Sequence, residues 1–130
     1  MNLPSVIMSG PLPPAVGGMA SVLGALRDSS LSRRLDLNLF ETGKKTPENR
    51  PLWQGIAARL QLLLRWWKEM GRTPRPIAHI HTCSGFTFFL DGLLLLLAKV
   101  RSAPCILHIH GARFDAFIDG LSFPMSSLAR

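Results

Sequence analysis

A chain of 130 residues, 47% of them hydrophobic and 18% charged, can bury one real core but leaves little room for a second lobe. That apolar share excludes a disordered basic tail, and the scatter of 10 prolines and 11 glycines excludes low-complexity and collagen-like chains. Against 8 Asp and Glu stand 15 Lys and Arg, a formal charge of +7 and a first pointer to anionic partners.

The first residues carry no positive charge, and Pro4, Pro11, Pro13 and Pro14 interrupt the amino-terminal stretch, so no secretory signal is expected. The apolar run Ser5-Val-Ile-Met8, closed by Ser9-Gly10-Pro11, predicts a first strand. After it, Ser9-Gly-Pro-Leu-Pro-Pro-Ala-Val-Gly-Gly-Met19 ends on paired glycines, directly ahead of a predicted helix over 19–27. Without side chains at Gly17 and Gly18 a ligand can approach the backbone, where free N–H groups and the positive end of the helix attract phosphate. The spacing matches neither Walker A nor G-x-G-x-x-G, so a plain flexible connector is the competing reading.

Residues 36–40 alternate like a half-buried strand, and the polar loop 41–50 comes next. In the helix predicted over 52–70, Trp53, Ile56, Leu60, Leu63, Trp67 and Met70 recur at spacings of three and four, which predicts a core-facing stripe. Opposite that stripe a helical projection places Leu62 and Trp66, flanked by Arg59 and Arg65. Residues 27–75 carry +6 of the net charge, and a basic face centred on an apolar pair suits an anionic membrane surface. A solvated basic face, or contact of Trp66 with another part of the protein, would account for the same pattern.

Ile77-Ala-His-Ile-His81 and Cys105-Ile-Leu-His-Ile-His110 predict the third and fourth strands, separated by a helix over 85–100 that is apolar all round. Ser84 is placed as the cap of that helix, and Lys99 and Arg101 lie at its carboxyl end. The apolar run 86–100 is only 15 residues long and contains Asp91, short of the roughly twenty needed to span a bilayer. Asp91 is left open between a locally capped acid and one facing a cleft. Strands joined by helices imply an α/β fold, a Rossmann-like parallel sheet with helices on both faces. Cys83 closes one strand and Cys105 opens the next, so parallel pairing would hold the thiols apart, reduced in a cytoplasmic compartment.

Each His-x-His pair shares one face of its strand. His81 and His110 fall at the carboxyl ends, the edge where ligands bind in open α/β sheets. His79 and His108 lie deeper and read as core or helix-packing histidines. Metals accept four imidazoles, but no Asp, Glu or Cys completes a shell at local spacing, so no metal ligand is assigned. In His110-Gly-Ala-Arg-Phe-Asp115, His110 and Arg113 could hydrogen-bond a sugar or a phosphate.

The stretch Gly10-Pro-Leu-Pro-Pro-Ala-Val-Gly-Gly-Met19 resembles the opening loop of family 4 (group 1) glycosyltransferases of the GT-B type. Ala78-His-Ile-His-Thr82, Asp91-Gly92 and Ile106-Leu-His-Ile-His-Gly-Ala-Arg-Phe114 are similar to the same family's amino-terminal domain, over about residues 3–119. The resemblance implies the acceptor-side lobe of a two-domain enzyme that transfers sugar from a nucleotide-sugar, with retention and with no required cofactor or metal. It implies that Gly17 and Gly18 approach the donor phosphate and that His110 is catalytic, near the transferred sugar. Ser84, Gly85 and Arg113 match the cleft lining by position only. The basic helix resembles the membrane-docking helix of members that act on lipid-linked acceptors, at the inner face of the membrane.

The family's carboxyl-terminal nucleotide-binding lobe has no counterpart in 1–130, nor do the last strands of its amino-terminal lobe. The chain is therefore expected to be an incomplete lobe, marginally stable and unable to transfer sugar alone, because the donor must be positioned from both sides. The alternatives are a stand-alone phosphate- or nucleotide-binding half-Rossmann module and a subunit of a split enzyme. No recognition motif accompanies the basic charge, and the glycine loop lacks basic residues, so nucleic acid is not an expected partner.

Overall fold

The computed structural model describes residues 3–43 and 51–122, so most of the polar loop expected over 41–50 lies outside the described residues. Four strands, β1 (Ser5–Gly10), β2 (Asp36–Glu41), β3 (Ile77–Cys83) and β4 (Cys105–His110), form one all-parallel sheet in the order β2-β1-β3-β4. Helices α1 (Gly18–Asp28), α2 (Leu52–Glu69), α3 (Phe86–Val100) and α4 (Phe114–Asp119) alternate with them, and a short 3-10 turn, Ser30–Arg33, leads into β2. This is the expected Rossmann-like α/β arrangement. β1 continues to Gly10 and β3 to Cys83, beyond the predicted ends at 8 and 81, so His81 lies two residues inside its strand.

Alternation along the strands sorts the core into two faces. On one, Leu23 of α1 packs over Val6 and Met8. On the other, Ile7, Ala78 and Ile80 meet Leu62, Trp66 and Met70 at the α2 end and Leu94 and Ala98 of α3. Gly10 closes β1 against α1: a Cβ there would overlap the Leu23 Cδ1 atom, and Leu23 is wholly buried.

Helix α2 packs on the side opposite to the one its periodicity predicts. Leu62 and Trp66 are buried, whereas Trp53, Ile56 and Leu60 are more than half exposed. Apolar residues form two stripes on this cylinder, and spacing does not choose between them. Tertiary contacts do: the Trp66 indole donates a 2.9 Å hydrogen bond to the Leu94 carbonyl and meets the Phe40 ring edge-on at 5.0 Å. Leu63 and Met70 of the expected stripe do reach the core. With Leu62 and Trp66 inside, the expected membrane-facing set of Arg59, Leu62, Arg65 and Trp66 is not a surface. Arg65 instead donates to the Glu41 carbonyl at 3.2 Å and lies over Phe40.

Helix α3 buries one face, through Leu90, Asp91, Leu94 and Ala98, and exposes Phe86, Leu96 and Val100. It is therefore covered on one face only, with an apolar outer face, rather than enclosed all round. No helix among the described residues is long and apolar enough to cross a membrane. Both cysteines are free, and the β3–β4 register pairs Ala78 with Cys105 and Cys83 with His110, placing the thiols at opposite ends of the sheet.

Candidate functional site

At the carboxyl edge the sheet reverses its winding. β1 leads to α1 on one face while its neighbour β3 leads to α3 on the other, so the topological switch point, the usual ligand position in open α/β sheets, lies between them. Both helices have glycine at the N-cap position. Gly17 precedes α1 at φ 152° and Gly85 precedes α3 at φ 101°, angles that side-chain-bearing residues rarely adopt. Neither N-terminus has a side-chain cap or an acidic residue in its first turn, so its leading N–H groups lack an anionic partner from the described residues. Open space surrounds the Cβ positions of Gly17, Gly18 and Gly85.

The proline-rich loop that carries Gly17 is tied to β2. The Glu41 carboxylate accepts from the Leu12 amide at 3.2 Å and from the Gly43 amide at 2.7 Å. Its role as an anchor depends on the β1–β2 register, which sets Gly10 beside Glu41, and nothing in local sequence signals it.

The four histidines gather on the α1 side of β3 and β4. Register sets His81 beside His108 and Cys83 beside His110, which brings successive rings into contact. His108 and His110 stack at 4.3 Å between centroids, and His79 and His81 lie 4.3 Å apart at a tilt of 36°. His81 Nδ1 and His110 Nε2 share a 2.8 Å hydrogen bond. His81 is 1% exposed, and its Nε2 is buried with no hydrogen-bond partner among the described residues. Ile106, on the same face, is half exposed, so this flank of the sheet is open.

Burial is the main reason the His81 pKa falls to about 3, with repulsion from His79, His108 and His110 adding to it. Burial likewise lowers His79 and His110 from the usual imidazole value, again with help from neighbouring rings. These three are therefore neutral at pH 7, bearing lone pairs rather than positive charge. The His-x-His spacing gives co-facial pairs, but only register joins the pairs across strands, so the gathering of His79, His81 and His108 is new to the structure.

The other expected residues divide. His81 packs beside Gly10, where the glycine loop departs; a Cβ on Gly10 would lie 3.5 Å from the His81 Cβ. Gly17, Gly18, Gly85 and His110 all fall at the carboxyl edge. Gly85, not Ser84, occupies the cap position of α3, because the chain needs the positive φ there. Ser84 and Arg113 are exposed and make no side-chain hydrogen bond to described residues; Arg113 precedes α4. Asp91 is buried in α3, where burial raises its pKa to about 6 against the opposing effects of Thr82 and Arg59. It sits with the α2–α3 layer, on the side of the sheet away from the histidines. Comparison with protein-family models, curated proteins and solved structures finds no match to this chain.

Proposed function

We propose that this chain is the acceptor-side lobe of a retaining glycosyltransferase, working with a nucleotide-gripping lobe supplied in cis or in trans. The observation that carries the reading is the β1/β3 switch point, where two helix N-termini without side-chain caps and the His81–His110 pair fall at the same carboxyl edge of the sheet. Helix N-termini with glycine caps hold phosphate through backbone N–H groups and the helix dipole, which suits the diphosphate of a nucleotide-sugar. His110, at the end of β4, contributes an imidazole beside that diphosphate, for hydrogen bonding to the transferred sugar. The acceptor is a glycan or a lipid-linked sugar, and the free cysteines suit the cytoplasm.

The test is an amide NMR titration of the full chain with nucleotide-sugars and with inorganic pyrophosphate. Shifts should concentrate at Gly17, Gly18 and the first turn of α3, and Gly17→Ala should weaken binding about tenfold by closing the space and straining φ. Binding that spares this edge would sink the proposal. Equal affinity for pyrophosphate and every nucleotide-sugar would favour a stand-alone phosphate-binding module, since no sugar would then be recognised.

A further inference from the structure

We infer that His79, His81 and His108 form a binding site for a divalent transition metal of the zinc class, with His110 orienting His81 from behind. One ring nitrogen from each of the three lies within 4.8 Å of the others. Two of them come from β3 and one from β4, and parallel register holds them on one face of the sheet. This does not depend on the transferase reading.

His81 supplies the independent indication of a ligand. Its Nδ1 is occupied by His110 at 2.8 Å, so Nε2 is the nitrogen left for a cation, and Nε2 is buried without a partner among the described residues. A buried polar atom with nothing to bond is rare in folded proteins, because its lost hydration is not replaced. When His81 Nδ1–H donates to His110 Nε2, Nε2 bears a bare lone pair. That is the tautomer a metal-binding imidazole needs, and a partner on its other nitrogen is how such ligands are usually oriented. A cation at Nε2 therefore satisfies the orphaned atom and fixes the tautomer together.

Three imidazoles with a fourth position left open are a catalytic rather than a structural type of zinc shell. Bonds of about 2.0–2.1 Å in tetrahedral geometry bring ligand nitrogens to roughly 3.3 Å of one another. The 4.8 Å spread thus closes by rotation of the half-buried His79 and of His108, with the enclosed His81 as the fixed point. The open flank at Ile106 leaves the fourth position to water or to a phosphate oxygen.

The test uses tag-free full chain, titrated with Zn(II) against a chromophoric chelator and, separately, with Co(II). One ion per chain and the intense visible bands of tetrahedral Co(II) are expected. His79→Ala and His108→Ala should each weaken Zn(II) at least about tenfold, and His110→Ala roughly 10- to 100-fold. Circular dichroism checks that the variants remain folded. Since His81→Ala opens the core, the wild-type chain supplies a second readout: the imidazole ¹⁵N signal of His81 Nε2 should move on Zn(II) addition. The Cys83→Ser, Cys105→Ser double variant should bind as the wild type does. Zn(II) affinity unchanged in His79→Ala and His108→Ala, loss with the cysteines, or inorganic phosphate taken up there in place of metal would each overturn the site.

Discussion

Gly10 decides how β1 meets α1. Its missing Cβ is where the Leu23 side chain lies, and Leu23 is wholly buried, so a Cβ there forces that side chain to shift within the core. Gly10→Ala should therefore cost about 1–3 kcal/mol, the usual range for overpacking a tight core, read from urea unfolding. Unchanged stability would mean that α1 lifts freely from the sheet. The glycine run marks this turn in the sequence, but it singles out Gly17 and Gly18, whose Cβ positions face open space. A glycine required by conformation and one required by packing look alike on paper; only the neighbour across the sheet separates them.

The elements themselves are largely legible: four strands and the first three helices track the apolar runs and their punctuation, with ends within two residues, whereas the short α4 has no such run to mark its bounds. The face of α2 is not. Its 18 residues offer two apolar stripes, and the choice rests on partners 26 and 28 positions away, Phe40 and Leu94, which no local periodicity contains. Two of its three tryptophans, Trp53 and Trp66, make the inversion measurable. Trp66→Ala removes a fully buried ring and its hydrogen bond to the Leu94 carbonyl, and should cost about 3–5 kcal/mol. Trp53, 67% exposed, should be replaceable by Ala within about 0.5 kcal/mol. With Trp67 replaced by Phe, fluorescence divides the same way, Trp53 being the ring quenched by iodide and Trp66 protected. The reverse order of stabilities would restore the stripe predicted from spacing.

For the whole molecule, the two faces of the sheet respond to acid in opposite senses. On one, His81 has its pKa lowered to about 3, so the unfolded chain binds its proton first and stability falls as pH drops below 6.5. His79 and His110 shift the same way. On the other, Asp91 has its pKa raised to about 6, so the folded chain takes up its proton first and stability falls as pH rises from about 4 to 6. Between those limits the acid partly cancels the histidines and flattens the profile. The His-x-His spacing makes each same-strand pair legible, but neither the contact across β3 and β4 nor the opposition of Asp91, because both depend on which face the sheet turns to which helix. Asp91→Asn keeps the shape and removes the charge. It should stabilise the chain by on the order of 2–3 kcal/mol at pH 7 and change little at pH 4. The profile between those values should steepen, because the histidines then act unopposed. Urea unfolding of both proteins across that range reads the slope directly, and a parallel offset of the two curves would show that Asp91 stays charged throughout.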